Sequence, residues 1–590
     1  MTKWICTVCG HIHEGDGPPD TCPVCGNPSE VFVPLEKVSE SRKSGTPYPE
    51  MESSADLVVV GSGAAGLSAA VTAIDRGASV MIVEKAARTG GTTARSGGGY
   101  WIPGNPYQRE MGYADDRGDC IRYMARCSYP ERYDPEDPNL GLSDREYSLI
   151  TVYFDSASET IEHYDRIGAL HSTVRINWTG KPDVDYMDHL PENGGVRGRT
   201  LFPKKDDGKQ GWGVDMIAHM ERWVRSRGAK IFTGYRASSL IMEDSGRVAG
   251  VTARSGDYEM RLRARMGVVF CSGGYTHNPE FLRNFQPGPV LGGCATPTNT
   301  GDFIPLACSA GAKLGNMNGA FRSQIIFEKA LAEPEVPANI FYIPGDSAIL
   351  VDRHGQRIMD EKRNYNDRAR MHFEWDAQNA EWRNLLTFML FDQRCADLWQ
   401  GSPPFPKQGK DAPLPGYLMK ADTWEGLCSE ISGRLGMLSR NTGGFSLDRD
   451  FPDNLKRTVD EFNAYAGAGK DSMFHRGDYT YDREWTTFPP RNPDAVWPPE
   501  GSKNPTMHPL GEGPFYAIIL ASGTLDTNGG PVIDGNGRVL GWDDIPIEGL
   551  YGAGNCIASP TAGAYWGGGS TIGPALTFGR LAALHATRGM

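Results

Sequence analysis

Two pairs of cysteines open the chain, Cys6 with Cys9 in CTVCG and Cys22 with Cys25 in CPVCG. In such a knuckle the glycine lets the backbone curl until amide N–H groups point at the sulfurs and hold them as thiolates. Four thiolates at this spacing make a tetrahedral site suited to iron or zinc. His11 and His13 read as loop residues, because the cysteines already fill the coordination. A second stretch with chemistry in it is residues 55–66, ADLVVVGSGAAG. Gly61 permits a tight turn, Gly63 lets backbone approach a pyrophosphate, and Gly66 brings a helix against its strand. The free N–H groups of Ala64 and Ala65 then face an anion. Glu84, followed by Lys85, stands where an acid holds a ribose hydroxyl.

These residues need a strand at 57–60, a helix from Ala64 and a second strand at 79–83. The glycine-rich run 90–99, GGTTARSGGG, is predicted to be backbone wrapped round a bulky ligand and not a packed element, with Gly91, Thr92, Thr93, Ser96, Gly97 and Gly98 as contacts. A capping box at Ser143 opens a long helix towards Gly168, and residues 214–227 form another. Strands follow at 230–233, 237–243, 247–254 and 267–270, the last reaching Gly273. Near the C-terminus a strand enters Gly554-Asn555, and a final apolar helix begins around Gly573-Pro574-Ala575-Leu576, its N-terminus aimed at the cofactor. Strand, meander and returning strand onto glycines predict an α/β, Rossmann-like two-nucleotide FAD fold. A second GxGxxG is absent, which argues against a dedicated NAD(P)H domain. Residues 534–537, DGNG, read as a hairpin turn in preference to a calcium loop.

At 590 residues the chain is too long for one core. The expected division is a metal domain at 1–36, a linker at 37–54, a first FAD-binding part at 55–322, an inserted α+β cap at 323–512 and a second FAD-binding part at 513–590. A net charge of −13 provides no basic stripe for nucleic acid. No segment is apolar enough for a membrane span, and no signal region opens the chain, so a cytoplasmic location is expected. The other eight cysteines show no pairing pattern and read as buried free thiols. Oligomeric state is not legible.

Residues 4–34 resemble the short rubredoxin module of rubrerythrins, which implies one iron in the four-cysteine site, zinc being the alternative, and single-electron exchange. From residue 56 onward the chain resembles the fumarate-reductase-like FAD superfamily and, within it, the 3-ketosteroid dehydrogenases. The residues that carry this are GSGAAG with Glu84, the 90–103 segment, the GTLDTNGG segment 523–530 and residues 549–579.

That resemblance implies a ring ketone held by the Tyr565 hydroxyl and the Gly569 N–H, in a Tyr-x-x-x-Gly motif. It also implies that a cap tyrosine, Tyr365, removes the neighbouring proton while the adjacent carbon gives hydride to FAD. A tyrosine of ordinary pKa, about 10, is a weak base at neutral pH, so a cation is expected beside it, Arg363 or Arg368. A further family tyrosine lies near a D-Y-x-P-E segment; here residues 188–192 read DHLPE, leaving His189 or Tyr186 for its place. Carboxylate-binding patterns of fumarate reduction are not evident. The expected function is desaturation beside a ring ketone, with a 3-ketosteroid 1- or 4-dehydrogenase in front. The alternatives are an enone reductase running the opposite way, a dehydrogenase of smaller alicyclic ketones, and an electron-transfer protein without an organic substrate. The reaction also needs an external electron acceptor or donor.

Overall fold

The computed structural model describes residues 2–6, 12–20, 29, 32–34, 51–333, 335, 339–405, 414–490, 495–511 and 513–590. At the N-terminus, strands Thr2–Cys6, Ile12–Gly15 and Phe32–Pro34 form a small antiparallel sheet centred on the first. Cys9, Cys22 and Cys25 lie outside the described residues, as does the Cys6 side chain.

The main sheet has eight strands. Its centre is Met51–Val60, parallel to Val80–Glu84 on one side and to Tyr258–Phe270 on the other. Lys230–Thr233 extends the first side, and Pro546–Gly552 returns to pair in parallel with Val268–Phe270. Leu57, Val58 and Val59 are fully buried. A strand covered on both faces reads as a continuous apolar run, and this one does. Helices Ala64–Asp75 and Ile572–Ala586 pack on this sheet and on each other, with Ser68 Oγ donating to the Leu576 carbonyl. This is the two-nucleotide FAD fold expected.

Three expectations need correction. The strand begins at Met51, inside the linker expected at 37–54, because Met51–Ala55 pair with Met260–Ala264. The 90–99 run contains one helical turn, Gly91–Ala94, entered through Gly90 at φ 106°, with none of its four residues buried. Cys308 is exposed, although all eight cysteines outside the N-terminal module are free.

A second, six-stranded antiparallel sheet is built on Phe515–Thr527, flanked by Ala320–Ile326 and Leu386–Asp392. The boundaries expected at 323 and 513 therefore cut this sheet, whose central strand lies wholly beyond residue 513. Alternate residues serve two cores, Ala517, Ile519 and Ala521 on one face and Tyr516, Ile518 and Leu520 on the other. Asp534-Gly535-Asn536-Gly537 is the hairpin turn, closed by Gly537 N–H on the Asp534 carbonyl. Among the described residues no helix is long and apolar enough to cross a membrane.

Candidate active site

One cavity of about 550 Å³ runs from the turn after the first strand to a cluster of aromatic rings between the two sheets. At its cradle end Gly61 takes φ 104°, and a Cβ there would run into the Cys271 carbonyl. A Cβ on Gly66 would strike Gly61 O, whereas Gly63 meets nothing nearer than Thr93 Oγ1 at 3.5 Å. The first and third glycines thus serve close packing, and the second leaves an open face. The N-cap Gly63 offers no side chain to the helix that starts at Ala64, whose first N–H donates to Thr93 Oγ1 at 3.2 Å. Ser62 donates from N–H and Oγ to Glu84 Oε2 at 3.0 and 2.6 Å, and Ala86 N–H to Oε1 at 2.8 Å. Burial pushes the Glu84 carboxyl above its ordinary range, and these hydrogen bonds oppose it. A glycine-floored cleft ending on a buried acid fits an adenine dinucleotide.

Of the expected contacts, Gly61, Gly63, Ala64, Ala65, Glu84, Lys85, Gly91, Thr92, Thr93, Ser96, Gly97, Gly98, Gly273, Gly554, Asn555 and Ala575 line this cavity. Gly66, Gly573, Pro574 and Leu576 do not. A Cβ on Gly573 would overlap the Trp101 carbonyl, Leu576 is core, and Pro574 borders a minor cleft beside Gly554. Lys85 is held by Asp302 at 3.0 Å and Thr300 Oγ1 at 2.6 Å. One wall was missed altogether. Asp526, fully buried, accepts from Gly274 N–H at 2.8 Å, Asn299 Nδ2 at 2.7 Å and Asn555 Nδ2 at 3.2 Å, tying three cavity segments together.

At the other end stand Tyr186, Tyr365 and Tyr565. Tyr565 belongs to a locked loop. Trp566 O accepts from Tyr123 OH at 2.6 Å, Gly568 O from Thr200 Oγ1 at 2.8 Å, and Gly569 O from Trp101 N–H at 3.1 Å. Gly569 sits at φ 93°, where a Cβ would collide with Gly99 and Tyr100. The Tyr565 hydroxyl has the Gly569 backbone and the Thr571 and Tyr365 side chains as polar neighbours, and its ring centroid lies 5.3 Å from that of Tyr365. Tyr365 opens a one-turn helix, Tyr365–Arg368, whose start is fixed by Asn364 Oδ1 accepting from Asp367 N–H at 3.0 Å.

The Tyr186 hydroxyl donates to Tyr365 Oη at 3.0 Å, and the Tyr186 ring stacks on Tyr565 with centroids 5.3 Å apart. Tyr186, and not His189, thus meets the other two tyrosines. His189 Nδ1 lies 3.2 Å from Arg363 Nη2, and its ring lies against Tyr479. The matching sequence signal is Asp185-Tyr186, three residues upstream of the segment compared. Arg363 and Arg368 are not beside the Tyr365 hydroxyl. Arg363 binds Asp482 at 2.9 Å and the Tyr186 carbonyl at 2.8 Å, which anchors Tyr186. Arg368 binds the Ile340 carbonyl at 2.9 Å. Burial raises all three tyrosines above their ordinary pKa.

Residues 56–572 match the FAD binding domain family, and residues 4–33 the rubrerythrin, rubredoxin-like domain. The chain belongs to the FAD binding domain family. It is 31% identical to 4-oxocyclohexanecarboxylate 2-dehydrogenase of Sinomonas cyclohexanicum, over 91% of this chain and 93% of that protein. It is 30% identical to 3-oxosteroid 1-dehydrogenase of Mycolicibacterium smegmatis, over 90% and 96%. Among solved structures it is similar to 3-ketosteroid delta1-dehydrogenase from Sterolibacterium denitrificans, determined with 1,4-androstadiene-3,17-dione, at a TM-score of 0.74 and 26% identity over 91% of this chain and all of that one. With the family established and the cradle complete, the protein is an FAD-dependent dehydrogenase bearing a rubredoxin-like module.

Proposed function

We propose that the protein introduces a carbon–carbon double bond beside the ketone of a ring substrate, and that its electrons leave through an iron atom held by Cys6, Cys9, Cys22 and Cys25. The observation that carries this reading is the convergence of the Tyr365, Tyr186 and Tyr565 hydroxyls with the Gly569 N–H at one end of the dinucleotide cavity. Bound FAD supplies the two-electron acceptor. Tyr565 and Gly569 bind the ketone oxygen, and both donors strengthen as that oxygen gains enolate charge, so they lower the barrier and do more than bind. Tyr365 Oη takes the proton from the carbon next to the ketone. Tyr186 donates to that same oxygen and fixes its position, where an arginine was expected. Tyr481, Trp485, Phe321 and Phe341 close round the three tyrosines and exclude water.

Relatives named for steroid and for cyclohexane-ring ketones support a ring ketone as the substrate class. Incubation of the purified protein with such a ketone and an artificial electron acceptor is expected to give a product lighter by two hydrogens. Unchanged ketone across both ring classes would refute the reading. The rubredoxin-like module favours one second reading, the same site fed with electrons and reducing an enone; accumulation of saturated ketone from enone would establish it.

A further inference from the structure

We infer that Arg175 is an anion reader in the substrate half of the cavity, so that the ring ketone this protein takes carries a carboxylate. The inference rests on the ring-ketone reading above and names its substrate class. Three cations line the cavity. Lys85 is ion-paired to Asp302 beside Glu84, and Arg95 stands in the glycine-rich segment of the cradle. Arg175 alone is among the aromatic rings. Its guanidinium carbon is 5.2 Å from the Phe202 ring centroid and 5.8 Å from that of Trp485. The Trp485 ring is 5.5 Å from Tyr186, which contacts both Tyr365 and Tyr565.

The group is held for the purpose. Arg175 Nε and Nη2 both grip Asp183 Oδ2, at 2.7 and 2.6 Å, and Asp183 is 5% exposed. That pairing uses one edge of the planar guanidinium; the Nη1 donors stay available on a side chain 35% exposed. Gln210, on the hairpin that follows Phe202, also lines the cavity. A planar donor fork fixed between two rings and backed by a buried carboxylate suits a carboxylate, which it meets through paired N–H groups. A neutral ring offers it at most a carbonyl or hydroxyl acceptor, without the charge and the paired oxygens of a carboxylate. With the ketone fixed at Tyr565 and Gly569, an arginine beyond the Tyr186 and Trp485 rings reads the far side of a small ring. Such a contact is made equally in ground and transition state, so its loss appears in KM and not in kcat.

The test uses the FAD-loaded full chain and two pairs of compounds. Calorimetric titration with cyclohexanecarboxylate and its neutral isostere cyclohexanecarboxamide, neither of which can be desaturated beside a ketone, is expected to show at least tenfold tighter binding of the acid. R175Q should abolish that preference and R175K retain part of it, both with normal FAD content. In turnover, R175Q should raise KM at least tenfold for 4-oxocyclohexanecarboxylate at little-changed kcat, and leave 4-methylcyclohexanone unaffected. An acid bound no better than its amide by the unsubstituted protein, or a preference that survives R175Q, would overturn the inference. So would an R175Q penalty of equal size on acid and neutral ketones, which would mark a role in holding the tyrosine cluster. Binding preference without turnover of any ketone would keep the anion site and sink the ring-ketone reading instead.

Discussion

The hydroxyls of Tyr186 and Tyr365 are 3.0 Å apart, with Tyr186 as donor, although 179 residues separate them and they come from different segments of the cavity wall. The Arg363 guanidinium fixes this meeting from behind by binding the Tyr186 carbonyl. A neutral hydrogen bond is worth about 0.5–1.5 kcal/mol, so Y186F, which loses the bond that positions Tyr365 Oη, should slow proton removal about 2–10-fold while KM and FAD content stay near normal. Rapid-mixing rates of flavin bleaching check this. A Y186F rate equal to that of the unsubstituted protein would mean Tyr365 works alone.

Tyr565 offers a cleaner probe of the carbonyl site than Gly569, where any side chain would collide with Gly99 and Tyr100 and disturb folding. Loss of one such donor costs about 10²–10³ in rate. Y565F is expected to fall in that range, read from kcat with a ring ketone, without loss of thermal stability.

Burial pushes the Tyr365 hydroxyl well above its ordinary pKa, and its Tyr186 and Tyr565 neighbours push it further the same way. A base must be deprotonated to act. Below a raised pKa the competent fraction grows about tenfold per pH unit. The logarithm of kcat/KM should therefore climb with unit slope to at least pH 9, with no neutral plateau. A plateau near neutrality would assign the proton to another group.

The two turn glycines make opposite predictions. Gly61→Ala forces a Cβ into the Cys271 carbonyl at a left-handed φ, so it should lower the melting temperature of the apoprotein. Gly63→Ala meets only Thr93 Oγ1 at 3.5 Å and should leave that temperature alone, yet bind FAD at least tenfold more weakly, because its methyl occupies the pyrophosphate approach. Thermal scans and flavin titration separate the two.

Local signals made much of this legible from the chain itself. The buried run 57–60, the glycine spacing and Glu84 announce the dinucleotide half, since each acts through neighbours close in sequence. The capping box at Ser143 marks helix Asp144–Arg166 for the same reason. Long-range pairings were not legible. Asp526 reads as one residue of a GTLDT segment until the fold sets it against Gly274, Asn299 and Asn555. Phe515–Thr527 looks like any apolar strand, and only its pairing with Ala320–Ile326 and Leu386–Asp392 shows which sheet owns it. Proximity along the chain suggests Arg363 or Arg368 for Tyr365, whereas the partner of Arg363, Asp482, is 119 residues away.

The four-cysteine module makes a separable prediction. One iron per chain is expected by elemental analysis, with the visible absorption of ferric iron in an S4 site. Cys9→Ser should lose both while FAD content and ketone-dependent flavin bleaching persist. Zinc in place of iron would remove the electron exit.

One experiment bears on the whole account, an anaerobic single turnover of oxidised protein with a saturated ring ketone in excess, a 3-ketosteroid in one series and 4-oxocyclohexanecarboxylate in the other. The account predicts flavin bleaching matched one to one by a product with a new double bond beside the ketone, and no bleaching in Y365F. An oxidised flavin that stays yellow with both ketones, while pre-reduced protein is reoxidised by the corresponding enones, would contradict it and make the protein a reductase.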